Sequence, residues 1–242
     1  MSNDPRWKAR LAVMEQLERD IFVHNMTRKE FREAVDRGVL KLVIIPTGSC
    51  EQHREHLALI HDTASAYHIA RMVASRLRPW VKVTPPIPFG YSEYWMGPEF
   101  RGGTITLRFE HFAAVVSDVL SSLRRHGVRM MMVLNGHGGN GMVVPGPFLE
   151  QLQRSLDAKI IFLSYWDVLK ENPLAKLMEK GSIPGHAGEF ETSVGLYLFP
   201  ENVRPNEVDE EEARLATREK GERLVEAIVD GLVNRIRAEL GL

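Results

Sequence analysis

Three short, almost unbroken apolar runs constrain the fold most: LVII at 42–45, MMMVL at 130–134 and IIFL at 160–163. Each is too short for a buried helix and is rich in aliphatic side chains. Runs that stay apolar on both alternating faces are strands buried on both sides, which is the condition of a parallel sheet covered by helices. Helical stretches alternate with them. Residues 5–22 read as a mixed-charge helix. A second helix starts at Thr27, where a Thr N-cap is followed by Glu30 in a capping-box pattern, and ends near Gly38. Further helices are read at 63–77, 110–125, 145–156 and 187–198, and a long, highly charged one at 208–240. VKVTPP and TITLR read as short strands, with the aromatic loop FGYSEYWMGPEFRGG between them. The alternation implies an α/β fold with a mostly parallel sheet, whose ligands bind beyond the carboxyl ends of the strands. With no repeat, low-complexity tract or linker, residues 1–242 read as one domain.

Charge and composition exclude several functions. Lys plus Arg total 31 and Asp plus Glu 32, for a net charge of −1. Nothing in that balance suits binding to nucleic acid or to an anionic membrane. The N-terminus, MSNDPRWKAR, lacks the apolar core of a signal peptide, and no stretch of about 18 apolar residues is present. Cys50 is the single cysteine. A cytoplasmic protein is expected.

Metal-binding side chains concentrate in three segments at strand or helix ends. The first, GSCEQHREHLALIHDT, carries Glu51, His53, Glu55, His56, His61 and Asp62. Side chains two apart in an extended segment share a face, so Glu51 and His53 can converge, and Asp62 follows a loop long enough to fold back. Carboxylates mixed with imidazoles suit zinc, manganese or iron better than calcium. The plain alternative is a solvated polar loop. The second segment, NGHGGN at 135–140, exposes His137 on a glycine-rich turn directly after a strand. It reads equally as a tight turn with an incidental histidine. As a phosphate loop it lacks the nucleotide-binding lysine, and no basic residue follows until Arg154. The third is GHAGEFETS at 185–193. With a helix from Ala187, His186 sits at its start and Glu189, three residues on, points the same way, whereas Glu191 does not join both. Alternatively Glu189 and Glu191 only complement the helix dipole.

Taken in order, GSCEQHREHLALIHD, NGHGGN and HAGEFETS resemble the motifs of the creatininase (creatinine amidohydrolase) family across roughly residues 40–200. The resemblance implies a three-layer α/β/α sandwich, frequent hexamer formation and a two-metal centre, with two divalent ions per chain, Zn2+ or Mn2+, with Fe2+ as a further option. By position, Glu51, Asp62 and His137 resemble the ligands of one metal. His53, Asp62 and Glu189 resemble those of the other, with Asp62 bridging. Gly139 stands where creatininase itself has an acidic residue, so Glu189 is expected to supply the missing carboxylate. His186 matches the position of a catalytic acid/base.

Arg54, Glu55, Ala58 and His61 depart from the family pattern. Arg54 and His61 either read a substrate group or are supporting and surface residues. Tyr91, Tyr94, Trp95 and Trp166 either wall a pocket or pack a core or interface. Cys50 is expected to be a small buried residue, and His68 a structural one.

The function expected is a metal-dependent hydrolase that opens a ring or cleaves an amide on a small polar substrate, not necessarily creatinine. One alternative is hydrolysis of a diketo-inositol carbon–carbon bond, of the 3-dehydro-scyllo-inosose type. Another is a non-catalytic metal- or sugar-binding protein on the same fold. The expected partners are a small-molecule substrate and further copies of the chain.

Overall fold

The apolar runs form strands, and their register shows how one sheet serves two cores. A computed structural model of the protein describes residues 18–242. Strand β1 (Leu42–Thr47) pairs in parallel with β2 (Val81–Val83) on one side and with β3 (Met130–Asn135) on the other. Strand β4 (Lys159–Ser164) pairs in parallel with β3, giving the order β2-β1-β3-β4. The helices are α1 (Arg28–Asp36), α2 (His61–Arg76), α3 (Phe109–Arg125), α4 (Pro147–Leu156), α5 (Glu189–Leu198) and α6 (Arg218–Leu240). Successive strand residues face opposite sides of a sheet. Leu42, Ile44, Met132 and Leu134 accordingly pack into one core, with Ile69 and Val73 of α2 and Leu224, Ile228 and Leu232 of α6. Val43, Ile45, Met131 and Val133 pack into the other, with Phe112, Val116 and Leu120 of α3 and Leu152 of α4. The protein is thus a three-layer α/β/α sandwich with an all-parallel sheet. Among the described residues no helix is long and apolar enough to cross a membrane.

Most elements lie where the sequence places them, and the differences have local causes. Thr27 caps α1 reciprocally with Glu30, as the capping-box pattern predicts. Of the helix read over 5–22, residues 5–17 lie outside the described residues, and 18–21 are helical. Helix α2 starts at His61, two residues early, which puts Asp62 in its first turn. Helix α5 starts at Glu189 rather than Ala187, because Ala187 is in the left-handed region at φ 51° and cannot open a right-handed helix. Helix α6 starts at Arg218, not at residue 208. Thr217 caps it by accepting the Lys220 N–H at 3.1 Å. The acidic stretch before it holds only short 3-10 turns.

TITLR is not a strand of the sheet. Ile105 makes one antiparallel bridge to Cys50, and Leu107 N–H donates to the Gly90 carbonyl. Thr104 and Thr106 hydroxyls accept the N–H groups of Gln52 and Ser92 at 3.0 and 2.9 Å. The alternating pattern is real, but it laces two loops together instead of extending the sheet.

This strand order places a topological switch point between β1 and β3, since β2 lies to one side and β4 to the other. Two asparagines of NGHGGN latch that point. Asn135 Oδ1 accepts the His137 N–H at 3.1 Å, while its Nδ2 donates to the His137 carbonyl at 2.7 Å and to Ser164 Oγ at 3.0 Å. Asn140 Nδ2 donates to the Gly48 carbonyl, and its Oδ1 accepts the Tyr91 N–H, both at 3.0 Å. The ends of β1, β3 and β4 and the aromatic loop are thereby tied together. The glycines here provide clearance rather than unusual torsions. A Cβ on Gly136 would stand 2.3 Å from the Asp62 carbonyl oxygen, and one on Gly139 would stand 2.0 Å from that of Tyr91. Gly138 has nothing within 4 Å. Gly136→Ala should therefore lower stability by about 1–3 kcal/mol through overpacking, whereas Gly138→Ala should stay within about 1 kcal/mol of the parent. Urea unfolding midpoints check the pair, and equal midpoints would refute the clearance role.

Candidate metal centre

The segments that follow β1 and β3 and the one that opens α5 meet at the switch point. Glu51 and His53 come from the loop after β1, Asp62 from the first turn of α2, His137 from the turn after β3, and His186 and Glu191 from either side of the α5 start. Glu51, His53, Asp62, His137 and Glu191 are all buried.

Asp62 lies at the centre. Its Oδ1 is 3.0 Å from His53 Nε2, and its Oδ2 is 3.0 Å from His137 Nδ1. The other nitrogen of each ring is already committed. His53 Nδ1 donates to the Glu51 carbonyl at 2.9 Å, and His137 Nε2 donates to the Tyr91 carbonyl at 2.9 Å. A carbonyl oxygen only accepts, so these bonds orient each imidazole with its variable nitrogen toward Asp62. Glu191 Oε2 stands 3.7 Å from His53 Nε2, and Glu51 Oε2 stands 3.4 Å from His137 Nε2. Three donor groups result, Glu51–Asp62–His137, His53–Asp62–Glu191 and Glu51–His53–His186, and Asp62 joins the first two, which are the fully buried ones.

Their electrostatics suit cations. Three carboxylates converge in a site shielded from water, and Glu51 Oε2 has no hydrogen-bond partner. An unpaired buried carboxylate oxygen is costly unless a cation or proton meets it. Without metal, protons fill that role. Burial disfavours charge on His53, yet Asp62 and Glu191 push the ring up to about 10. Burial likewise opposes charge on His137, and Asp62 and Glu51 raise it to about 9. Burial and the neighbouring carboxylates lift Glu191 to about 8. Asp62 resists its burial because both imidazoles hold its carboxyl well below the usual range. The donor types, with the buried and unpaired Glu51 oxygen among them, fit divalent cations of the zinc or manganese kind.

Four of the five ligand candidates, Glu51, His53, Asp62 and His137, are brought together here, with His186 beside them. Its Nδ1 is 3.5 Å from Glu51 Oε1. Glu189 is not brought to the cluster, which corrects that assignment. Its carboxylate accepts the Glu179 and Lys180 N–H groups at 2.8 and 3.0 Å and pairs with Lys220 of α6. Glu191 occupies the expected place, its Oε2 also accepting the Ala187 N–H at 2.6 Å. The same-face argument for His186 and Glu189 needs helix from residue 187, and the left-handed Ala187 removes it. Glu191, two residues on, is turned by about 200° from Glu189 around α5.

The other candidates fall apart physically. Arg54 points away to Glu210, 2.7 Å from its carboxylate. His61 is buried beside His53 and against Phe199. His56 Nε2 meets Thr192 Oγ1 at 2.9 Å. None of the three lines the cavity. Trp166 packs in the core, Cys50 is half-buried, and His68 rests against Phe199.

The cluster opens into a cavity of about 350 Å³, lined by Tyr91, Tyr94, Trp95, Met142, Gly185 and His186. Trp95 stacks on His186, with ring centroids 4.2 Å apart and 23° between planes. That contact has no signature in spacing, because the two residues lie 91 positions apart in sequence.

Known proteins share this arrangement of chain. The sequence model of the creatininase family, described as creatinine amidohydrolase, matches residues 24–215. Creatinine amidohydrolase of Pseudomonas putida is 29% identical over 261 residues, covering 92% of this chain and 98% of that protein. The 3-dehydro-scyllo-inosose hydrolase of Thermotoga maritima is 32% identical over 189 residues, covering 75% of this chain and 57% of that protein. A crystal structure of creatininase superposes with a TM-score of 0.81 at 28% identity, covering 91% of this chain and 98% of that one. A manganese form gives 0.79 at 29% identity over the same shares. The chain belongs to the creatininase family of hydrolases.

Proposed function

We propose that the chain adds water to the carbonyl of a small polar substrate, opening a ring or cleaving an amide, with two divalent ions of zinc, manganese or iron held at the switch point. The observation that carries this reading is Asp62, whose two oxygens face two separately oriented imidazoles, each set completed by one more carboxylate. Cations held there would supply Lewis acidity toward a carbonyl and would lower the pKa of a bound water. The chain's own groups do the rest. Glu51 and Glu191 are placed to hold the donor sets together, and the Glu51 and Tyr91 carbonyls keep the imidazoles from turning. Trp95 and Tyr91 give the cavity an aromatic wall. His186, at the cavity wall beside Glu51, is the group proposed to serve the reacting atoms through a proton.

Among the described residues lining the cavity there is no lysine or arginine, and Glu93 stands at its rim. A neutral or cationic polar molecule suits that lining better than a carboxylated one. Cyclic amides and formamides are therefore the first class to assay. A keto-cyclitol is the second reading, favoured by the 32% identity to the inosose hydrolase. It needs the same water and the same polarised carbonyl. A hydrolysis screen of purified, metal-loaded protein across these classes tests the proposal, and no turnover on any of them would count against it. The proposed assembly is a homohexamer, to be checked by light scattering against the 27.5 kDa chain.

Metal loading carries its own prediction. Cations and protons compete for the same lone pairs. His53 and His137, raised to about 10 and 9, hold their protons at neutral pH. Binding should therefore release protons at pH 7, and apparent affinity should rise as pH climbs from 7 toward 10. Calorimetry in buffers of different ionisation enthalpy reads the release, and pH-independent binding without release would contradict it. The two helix carboxylates should also separate. Glu191→Gln should keep the fold and lose one metal by elemental analysis. Glu189→Gln should keep both metals and lower the melting temperature by loosening α5 from Lys220. His186→Gln should retain both metals yet lose about 10²–10⁴-fold in turnover, so loss of metal in that variant would make His186 a ligand instead.

A further inference from the structure

The GSCEQHREH motif contains one polar residue that the metal centre does not use. Gln52 stands between Glu51 and His53 in sequence, but its side chain leaves the cluster and meets His186. Gln52 Nε2 lies 3.0 Å from His186 Nε2, and Gln52 Oε1 accepts the Arg54 N–H at 3.1 Å. The second contact settles the first. A backbone N–H only donates, so the amide atom that meets Arg54 must be the oxygen, and the atom facing His186 must be the NH2 group. An NH2 group donates and does not accept. His186 Nε2 is therefore the acceptor of this bond, and the ring proton belongs on Nδ1. That nitrogen is the one turned toward the metal centre, 3.5 Å from Glu51 Oε1.

The amide is held in this orientation from several sides. Its backbone N–H is bound by Thr104 Oγ1 at 3.0 Å. The Gly102 backbone passes so close that a Cβ there would stand 2.8 Å from Gln52 Cβ. Arg54 reaches its anchoring position only with a left-handed backbone, φ 56°, and its side chain is fastened to Glu210. Trp95 stacks on the imidazole, with 23° between the planes.

We propose that Gln52 is a positioning residue that fixes His186 in the Nδ1–H tautomer. The histidine then presents an N–H rather than a lone pair to the reacting centre. This rests on the reading of His186 as the group that serves the reacting atoms, and it defines how: as a hydrogen-bond donor to charge that develops on the substrate, a role in which a fixed donor stabilises the transition state. Arg54 acts through Gln52 by its backbone, which gives this loop position a function that its side-chain charge does not reveal.

The test reads the ring nitrogens directly, so its outcome does not depend on whether any substrate is turned over. Protein labelled with 15N-histidine is examined by NMR, metal-free and zinc-loaded, with the His186 signals identified by their loss in His186→Gln. The parent should show a protonated, pyrrole-like Nδ1 and an unprotonated, pyridine-like Nε2. Gln52→Glu keeps an acceptor for the Arg54 N–H but turns a carboxylate oxygen toward His186, so Nε2 should become protonated. Gln52→Leu should remove the preference and leave both nitrogens averaged between the two forms. A protonated Nε2 in the parent, or a tautomer unchanged in Gln52→Glu and Gln52→Leu, would overturn the proposal. If Gln52→Glu fails to fold, the parent and Gln52→Leu spectra decide it.

Discussion

A buried carboxylate between two imidazoles is the constraint around which the rest of the molecule is arranged. Asp62 is 2% exposed, and His53 and His137 approach its two oxygens from opposite sides. Burying one ionised carboxylate costs several kcal/mol even after relaxation. Placing two more, Glu51 and Glu191, in the same space is tolerable only if positive charge comes with them. Protons on the imidazoles provide it in the metal-free chain, and two divalent cations provide it in the proposed working form. The position of Asp62 in the first turn of α2 helps as well, since the N-terminal end of a helix favours negative charge.

Holding such a cluster requires rigid backbone, and the sandwich supplies it at one place. Strand order reverses between β1 and β3, so the loops that leave their carboxyl ends diverge and open a crevice. Asn135 and Asn140 close that crevice from beneath by satisfying backbone groups of several segments at once. Both side chains are fully buried. Their polarity is offset by those bonds, and the glycines between them let Asp62 and Tyr91 approach the turn closely. The motif NGHGGN is thus mostly architecture, with His137 as its one chemical group.

The departures from the family pattern become intelligible at this level. Arg54, one of those departures, sits at φ 56°, a region that glycine adopts without a steric penalty. Arginine there costs on the order of 1 kcal/mol of backbone strain. Its ion pair with Glu210 is half-exposed and can offset only part of that. The arginine charge is directed outward, so the cavity keeps its acidic and aromatic lining.

The strands, the two-faced burial, the class of fold and the three chemical segments were legible in the sequence, because each depends on residues close together along the chain. LVII, MMMVL and IIFL can satisfy their hydrophobic character only inside a covered sheet. Glu51, His53, Asp62 and His137 belong to residue types that bind metals, and the family resemblance, not spacing, is what groups them as ligands. What tertiary structure alone decided was direction. Whether Glu189 or Glu191 faces the imidazoles turns on one left-handed residue, Ala187, which delays the helix by two positions and so rotates which carboxylate points inward. Whether TITLR forms a strand turns on which loops lie beside it, and Cys50 and Gly90 take its hydrogen bonds. The stacking of Trp95 on His186 and the contact of Gln52 with the same ring join residues about 90 and 130 positions apart. No local pattern encodes such pairs, because they arise from packing elements whose separation in sequence carries no information about their distance in space.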